Sequence, residues 1–506
     1  MNSSIKLKFS GFKEYFFKSK KYCIIYLLLI CMAVITLFNL ENYQHPKFEI
    51  FSIIIVSILS IFSLVYYYKN GNKKLYKTAF IVLLLFGLIC AFIIPIDSVS
   101  DEYEHLTRAE MTSRGVLLPE YINGSYESIS SLPNFFNNVE GKTIFQINDD
   151  TSKINNSVAY VDSAFEQNPF YGYIFSAIGI AIAKLLDLSV IWILWLGRIF
   201  NVIIYAALIS FAIKKSPIFK IQLFAISCLP ICLFQAFSIN IDSLIAGLGI
   251  FTISYFFNMY VNKFGKRQVV IFALLCLLTG LCKLPYLALI FLILFIPHDN
   301  FNKNRFNLYC VLSIALVAVV GLLWNNLYAS PALYHSWRAE YFIQNNVNVS
   351  NQLNYIISHP MNFIAAFSSI LNSIPTIFSS FFNFYHGSEY CGSQFISMLL
   401  TFFVAFISFY PNDIKINLKS RIGVFITFII IYVGTYIVQL LSWNPVGQLT
   451  FNGVHARYFL ALFALLPFIF PNNFLNFKGK KLDNYTIILI LFFMSSMVIS
   501  FATTFY

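Results

Sequence analysis

Charged side chains are scarce in this sequence: Asp, Glu, Lys and Arg together make up 11% of its 506 residues. The usual nucleotide-binding motifs are missing too, since neither a P-loop nor a Gly-x-Gly-x-x-Gly after a strand occurs. Most of the nine Cys lie inside apolar runs, and no Cys/His spacing predicts a zinc site. Because no Pro/Gly-rich linker appears, we expect a single integral domain over residues 1–506.

Long apolar runs make up most of the chain. Hydrophobic residues make up 58% of the chain, and many runs reach about 18–22 residues, enough to cross a hydrocarbon core of about 30 Å. The sequence therefore predicts an all-α, multi-pass protein of the plasma (inner) membrane. The net charge of +12 comes from Lys and Arg in short loops, which is typical of cytoplasmic loops and not of a nucleic-acid-binding surface. The first apolar run lacks a cleavage pattern, so we expect an anchor with a cytoplasmic N-terminus.

Apolar length and the positions of Lys and Arg together predict about 13 transmembrane helices. Two long segments then face outside: external loop 1, residues 96–188, which is polar up to 168, and external loop 2, residues 328–390. Within the second loop, 350–372 is predicted as an amphipathic or interfacial helix. The predicted spans are about 22–40, 48–68, 78–95, 190–213, 218–235, 243–261, 268–282, 285–298, 306–327, 392–410, 422–443, 457–471 and 484–504.

Whether the apolar stretch 169–186 crosses the membrane depends on the charges that follow it. If both it and 189–213 crossed the membrane, Lys214 and Lys215 would lie outside, and so would the basic residues of the following loops. If only the second crosses, all of these residues fall inside, as the charge rule requires. We therefore predict that 169–186 lies along or dips into the outer interface. A full hairpin is the alternative, and it requires several basic loops outside.

The segment after the third predicted span collects ionisable residues. In a helix starting near Ser100, Asp101, His105 and Arg108 stand at i, i+4 and i+7 and share one face. A carboxylate, an imidazole and a guanidinium together can transfer a proton and hold an anion. The structural alternative is an N-cap at Ser100 followed by an acid-rich first turn.

The predicted topology places most polar residues with apolar neighbours at the outer membrane face. Ionisable groups at membrane depth cost about 2.5–3.5 kcal/mol or more each, so they are usually paired and functional. Snorkelling near helix ends is the alternative for Lys283 and Arg457. Several groups arriving from separate spans predict a shared pocket at the outer leaflet. The residues at this face are Asp101, Glu102, His105, Arg108, Asn240, Asp242, Lys283, His359, Glu389, His455 and Arg457, and Arg198 lies within its span.

The stretch Asp101-Glu102-Tyr-Glu-His105-Leu-Thr-Arg108-Ala resembles the Asp-Glu-x-x-His-x-x-Arg-Ala signature of a bacterial family of membrane proteins of unknown function. That family in turn resembles the GT-C superfamily of lipid-linked-sugar glycosyltransferases. Further segments resemble the family in the same order along about 95–460: Gly197-Arg198-Ile-Phe-Asn201, Ser238-Ile-Asn240-Ile-Asp242, Lys283-Leu-Pro285-Tyr286, Ser358-His359-Pro360 and Arg457-Tyr458-Phe459, where Ala456 replaces a common Gly.

The resemblance implies a GT-C-like fold and an inverting transferase, with an acidic base in the first external loop. It implies Asp101, or Glu102 as the close alternative, as the catalytic carboxylate. His105 and Arg108 would orient this carboxylate or bind the acceptor. The remaining residues implied in substrate binding are Asn240, Asp242, Lys283, His359, Arg457, Tyr458 and Arg198. No cofactor is certain; a divalent metal, Mg²⁺ or Mn²⁺, is left open, since Asp and Glu supply the oxygen ligands such ions take.

Taken together, these features predict transfer of a sugar from a polyprenyl-phosphate carrier to a cell-envelope glycan or glycolipid outside the cytoplasm. Cations would hold the phosphate, an apolar wall the lipid, and a carboxylate would accept a proton from the attacking hydroxyl. The missing nucleotide-binding motifs argue against a nucleotide-sugar donor. The alternatives are a flippase or transporter of lipid-linked sugars and a non-catalytic envelope-glycan assembly protein. A flippase predicts an inverted repeat, which the sequence lacks.

Overall fold

The structure is a computed structural model, and it describes residues 2–37, 46–147, 152–301, 306–382, 393–451, 453–472 and 480–506. Helices dominate these residues. In chain order they are α1 (Asn2–Leu37), α2 (Pro46–Asn70), α3 (Leu75–Ile93), α4 (Glu102–Ser113), α5 (Ser131–Val139), α6 (Ile174–Leu185), α7 (Ile191–Lys215), α8 (Lys220–Ser227), α9 (Pro230–Ala236), α10 (Ile241–Val261), α11 (Lys266–Cys282), α12 (Phe306–Trp324), α13 (Ser330–Ala332), α14 (Trp337–Gln344), α15 (Val349–Ser358), α16 (Pro360–Ser379), α17 (Gln394–Ser408), α18 (Leu418–Trp443), α19 (Leu466–Ile469) and α20 (Lys480–Phe505).

Shorter elements join these helices. Two apolar segments form 3-10 helices, Leu284–Phe295 and Ala456–Leu465, and a π-turn, Asn325–Ala329, follows α12. Three strands, β1 (Tyr121–Ile122), β2 (Ser125–Ile129) and β3 (Val158–Val161), form a small antiparallel sheet in the order β1-β2-β3. Asn123 and Gly124 both have positive φ between β1 and β2, which is the two-residue turn whose twist suits a hairpin.

The protein is a membrane protein by the length and composition of its helices. Nine helices among the described residues are long and apolar enough to cross a bilayer. Eight of them overlap predicted spans, and the ninth, Pro360–Ser379, was expected to be part of an interfacial helix. The nine are Lys13–Leu37, Lys47–Asn70, Asn72–Ile93, Ile191–Lys215, Ile241–Val261, Phe306–Ala332, Pro360–Ser379, Leu418–Trp443 and Lys481–Phe505.

The predicted count of 13 spans is not reproduced in this part of the chain. The predicted span 218–235 is divided into α8 and α9, because Pro230 starts a new helix at its first position. The predicted spans 285–298 and 457–471 fold mainly as 3-10 helices. A 3-10 helix rises about 2.0 Å per residue, so the twelve residues Leu284–Phe295 still cover about 24 Å.

The two segments that were predicted as interfacial helices fold differently from one another. Residues 350–372 are not one helix, because His359 interrupts them directly before Pro360, where the helical conformation is disfavoured. Residues 169–186 form a 3-10 turn and the twelve-residue α6. At 1.5 Å per residue, α6 is about 18 Å long and too short to cross the hydrocarbon core alone. Its placement at the outer interface stays a prediction.

Close packing of α6, α7 and α3 fixes the start of α4. A Cβ on Gly179 would lie 2.3 Å from the carbonyl oxygen of Leu196, so only Gly lets the α6 and α7 backbones approach this closely. The α4 helix packs on α6 and contacts α7. A continuous core of buried apolar side chains runs from Tyr26 in α1 to Tyr506 after α20. The end of α3, the start of α4 and the start of α10 meet beside this core, since Arg198 bonds Ile94 and Glu102, and Asn240 bonds Ser100.

Candidate functional site

A cavity of about 360 Å³ opens where the start of α4, the start of α10, α14 and the end of α18 meet. Its charged lining residues are Asp101, Asp242, Lys283, Arg338 and Arg457. Its aromatic and imidazole lining residues are Phe165, Trp337, Trp443, Tyr458, His105 and His455. Leu333, Ile241 and Ile245 add apolar wall. The cavity thus combines carboxylates, cations and aromatic rings from seven separate parts of the chain.

Four of the charged residues form one connected cluster. Arg457 places Nη2 3.1 Å from Oδ2 of Asp101 and Nε 3.1 Å from Oδ2 of Asp242. Lys283 places Nζ 3.9 Å from Oδ1 of Asp242 and 3.0 Å from the ring centre of Tyr458. The structure therefore brings together four residues that lie up to 356 positions apart in sequence.

Asp101 does not act as a helix cap, although it occupies the N-cap position of α4. Its backbone is left-handed (φ 67°, ψ 21°), and its side chain makes no capping hydrogen bond. Asp97 accepts the hydrogen bond from the Tyr103 N–H instead. The Asp101 side chain is 35% exposed, whereas that of Asp242 is 8% exposed. Asp101 is accordingly the cavity carboxylate that a ligand reaches first.

Asn240 acts as a positioning residue beside this cluster. Its Oδ1 accepts the backbone N–H of Asp242 at 2.7 Å and so caps α10. Its Nδ2 donates to the carbonyl of Ser100 at 3.2 Å, directly before Asp101. Asn240 therefore couples the two carboxylates through the backbone, and it is absent from the cavity lining.

Glu102 and Arg198, predicted as catalytic and substrate-binding, lie outside the cavity lining and pair with each other. Arg198 donates from Nε and Nη2 to the two carboxylate oxygens of Glu102 at 2.8 and 2.6 Å, and both side chains are completely buried. The Ile239 and Asp97 N–H groups also donate to Glu102. The other Arg198 N–H groups donate to the α3 C-terminal carbonyls at Ala91, Ile94 and Pro95. The pair thus joins the end of α3 to the start of α4.

His105 and Arg108 share a helix with Asp101 but differ in environment. His105 lines the cavity, its Nδ1 lies 2.7 Å from the Tyr173 hydroxyl, and burial lowers its pKa to about 3. It is therefore a neutral imidazole at physiological pH. Arg108 does not line the cavity; it bonds the Thr112 hydroxyl and the Leu117 carbonyl, and burial lowers its pKa. Arg108 holds the chain that follows α4.

His359 lies apart from the cavity. It is exposed between α15 and α16, where its ring stacks on Tyr355 and its Nδ1 lies 3.1 Å from the Tyr355 carbonyl oxygen. Its predicted role in binding therefore has no support from position. Glu389 falls outside the described residues.

The sequence reasoning missed Arg338, a cavity residue in α14. Its side chain is buried, its guanidinium lies 4.8 Å from the ring centre of Phe165, and burial lowers its pKa. Its Nε and Nη1 have no hydrogen-bond partner in the described part of the chain. A signal existed: Arg338 is the single Lys or Arg between 328 and 390 in the sequence.

Glu104 lies on α4 close to Arg338 and Asp101. Its Oε1 accepts a hydrogen bond from the Trp337 indole N–H at 3.2 Å. Burial and the Asp101 charge raise the pKa of Glu104 to about 7, although this bond and Arg338 act in the opposite direction. Glu104 thus changes its protonation state near neutral pH beside the cavity.

A metal centre is not evident in the described ranges, which contain no group of three His, Cys, Asp or Glu that could hold an ion. Asp101 and Asp242 both lie against Arg457. A guanidinium at this position supplies the positive charge that a cation would otherwise bring.

The sequence of residues 84–466 matches the model of a family described as predicted membrane protein (DUF2142). The chain belongs to this family. The matched residues include all five charged residues of the cavity. No curated protein and no solved structure matches the chain.

Proposed function

We infer that this DUF2142 protein is a GT-C-type inverting glycosyltransferase. It moves a sugar from a polyprenyl-phosphate carrier to a cell-envelope glycan or glycolipid at the outer face of the membrane. The observation that carries this inference is the accessible Asp101 carboxylate beside Arg457 and Lys283 in one cavity. A base next to cations suits a reaction whose leaving group is an anion.

The reaction assigns a separate task to each of these groups. The acceptor hydroxyl oxygen bonds to the anomeric carbon of the sugar, and the bond from that carbon to the phosphate oxygen breaks. The bonding electron pair stays on the phosphate, and the hydroxyl proton passes to Asp101. Arg457 fixes the Asp101 carboxylate at 3.1 Å, and Lys283 adds positive charge for the leaving phosphate.

Aromatic side chains give the cavity a surface for sugar rings. Trp337 and Trp443 stand edge to face with their ring centres 6.3 Å apart, and both line the cavity. Tyr458 also lines the cavity, and its ring centre lies 3.0 Å from Nζ of Lys283. Flat rings with a polar edge suit the apolar faces and hydroxyl edges of a sugar.

The extracytoplasmic placement of the site rests on α10. Asp242 lies in the first turn of α10, in the cavity, while Lys263, Lys266 and Arg267 follow its last residue, Val261. The 21 residues of α10 span about 31 Å, the thickness of a hydrocarbon core. With the basic loop in the cytoplasm, the cavity faces outside. Multi-pass insertion, the cytoplasmic N-terminus and the count of 13 spans belong to the same proposal.

The test is transfer by the Asp101→Asn variant. A deletion strain is complemented with wild type, Asp101→Asn or Asp187→Asn, and the wall glycans are analysed for sugar composition. Asp187 is the matched control, because it is also an Asp with a left-handed backbone in an ion pair, and it lies outside the cavity lining. We expect Asp101→Asn to reduce transfer by about 10²–10⁴-fold while inserting normally, and Asp187→Asn to restore the glycan fully.

Other outcomes would favour the alternatives. Full glycan modification by Asp101→Asn would contradict a carboxylate base and favour a non-catalytic assembly protein. Normal flipping of a labelled polyprenyl-phosphate sugar by Asp101→Asn vesicles, with no transfer even by wild type, would favour a flippase.

A further inference from the structure

Arg338 differs from the other charged residues of the cavity because it has no counter-ion. Lys283, Arg457 and the two aspartates lie within 4.0 Å of opposite charges. Among the described residues, none forms an ion pair with Arg338 at that distance, although its side chain is only 7% exposed. The carboxyl groups of Glu104, Asp101 and Glu166 act on Arg338 from more than 4.0 Å away. Burial raises the pKa of Glu104 and of Glu166, and Glu104 also accepts the Trp337 indole N–H.

An unpaired guanidinium in such a position is unfavourable for folding. Arginine stays charged in proteins, and a buried charge without a partner costs several kcal/mol. Phe165 offers only its ring face to the group, at 4.8 Å. A cost of this kind persists at sites where a ligand supplies the missing charge.

Contacts from external loop 1 fix the backbone that presents Arg338. Ser336 has φ 58° and ψ −155°, a region that residues other than Gly rarely adopt. The Tyr121 hydroxyl accepts the Ser336 N–H at 2.8 Å, and Asp162 accepts the Trp337 N–H at 3.0 Å. The β1-β2 hairpin and the residue after β3 therefore hold the start of α14 against the cavity.

Charge balance then indicates what the ligand carries. In the cavity lining, Asp101 and Asp242 offset Lys283 and Arg457. The nearby Glu104 is neutral below its raised pKa of about 7, which leaves the charge of Arg338 at that pH. We propose that Arg338 binds the phosphate of the ligand, and that this phosphate is a phosphodiester with one negative charge and not a diphosphate. The proposal rests on the proposed function for the identity of the lipid, and it adds the residue and the ligand charge.

The experiment measures binding by purified protein in nanodiscs, with empty nanodiscs subtracted. The probes are farnesyl methyl phosphate (one charge), farnesyl diphosphate and uncharged farnesol. Wild type should bind the phosphodiester at least about 10-fold more tightly than farnesol, because charge-assisted bonds to phosphate contribute about 1.5–3 kcal/mol. The diphosphate should bind more weakly than the phosphodiester, since its excess charge faces Asp101 and Asp242.

Arg338→Gln should lose about 10- to 100-fold in phosphodiester affinity and keep its farnesol affinity. Arg338→Lys should retain part of the difference. The matched control is Arg267→Gln, because Arg267 is exposed in the first turn of α11 and lies outside the cavity lining. The melting temperature of Arg338→Gln should be unchanged or higher, since an unpaired buried charge is removed. A structural role would instead lower the melting temperature and farnesol affinity together.

Several results would overturn the proposal. Wild-type phosphodiester affinity in Arg338→Gln would remove Arg338 from the phosphate site, and tighter binding of the diphosphate would refute the single charge. If Arg338→Gln loses the phosphodiester but wild type transfers no sugar, the transferase fails and this anion site stands. If wild type transfers sugar and Arg338→Gln binds the phosphodiester normally, the transferase stands and the anion site at Arg338 is refuted.

Discussion

Asp101 and Glu102 are neighbours in sequence, both pair with an arginine, and their surroundings are opposite. Glu102 and Arg198 are completely buried, and every carboxylate oxygen of Glu102 accepts a hydrogen bond. Asp101 is 35% exposed, and Arg457, its partner, is shared with Asp242. The first pair has no room for a ligand, whereas the second lines a cavity.

The difference shows that of two adjacent acids one supports the fold and the other is open to a ligand. The buried pair joins the end of α3 to α4 and holds the turn in which Asp101 adopts its left-handed backbone. The Asp101–Arg457 pair stays accessible because both residues line the cavity and Asp101 makes no capping hydrogen bond to α4. A motif of two acids therefore contains one structural carboxylate and one candidate base.

Breaking the buried pair should give the largest loss of stability. We expect Arg198→Met to lower the free energy of unfolding by about 3–5 kcal/mol, because Glu102 becomes an uncompensated buried charge. Thermal and denaturant unfolding of purified protein in detergent would measure the loss. The double variant Arg198→Met/Glu102→Gln should recover part of it. A single variant as stable as wild type would remove the structural role assigned to the pair.

Glu104, close to the Asp101–Arg457 pair, should make the stability of the protein depend on pH. Its pKa is about 7 in the folded protein and near 4.5 when unfolded, so its protonated form favours folding. The stability that it contributes is fully present below about pH 4.5 and is lost as pH rises through about 7. Because Glu104 is only partly buried, we expect about 1–2 kcal/mol. Wild type should lose this amount between pH 4.5 and 8 relative to Glu104→Gln. Parallel stability curves for the two proteins would contradict the raised pKa.

Removing the exposed carboxylate should cost little stability. Asp101→Asn leaves Arg457 beside Asp242, and Asn accepts a left-handed backbone about as well as Asp. We expect the free energy of unfolding to change by less than about 1 kcal/mol. Unfolding curves recorded with those of Arg198→Met would test the contrast directly. An equal loss in both variants would mean that Asp101 serves the fold as Glu102 does.

An ion pair at the protein surface should contribute least to the free energy of unfolding. Lys153 and Asp187 lie 2.9 Å apart with side chains that are mostly exposed. We expect Lys153→Met to change stability by at most about 0.5 kcal/mol, because water and salt screen such pairs. The same unfolding assay at low and high salt measures this. A change as large as that of Arg198→Met would show that burial does not distinguish these pairs.

Much of the fold was predictable because apolar length is a local property. Eight of the nine long apolar helices overlap predicted spans, since crossing a bilayer requires an uninterrupted run of a fixed length. The structure differs from the predicted spans where the backbone is not one continuous α-helix. Pro230 divides a predicted span, and residues from Leu284 and from Ala456 wind as 3-10 helices that hydropathy does not distinguish from α-helices.

The sequence indicated which kinds of residue meet at the candidate site, but not which individual residues line it. Asp101, Asp242, Lys283 and Arg457 are polar residues beside apolar runs, a signal that sequence carries, and the structure places them together. Glu102, Arg198 and His359 carry the same signal, yet two are buried as a pair and one lies exposed elsewhere. Arg338 is marked in sequence only as the single Lys or Arg of residues 328–390, and its place in the cavity depends on how α14 packs.

By itself the sequence determined that this is a helical membrane protein whose ionisable groups cluster after certain apolar runs. Only the tertiary structure decided which of those groups are paired, buried or open to a ligand. The physical reason is distance: the cost of a charge depends on what lies within a few ångströms of it. In this chain those neighbours come from segments hundreds of residues away.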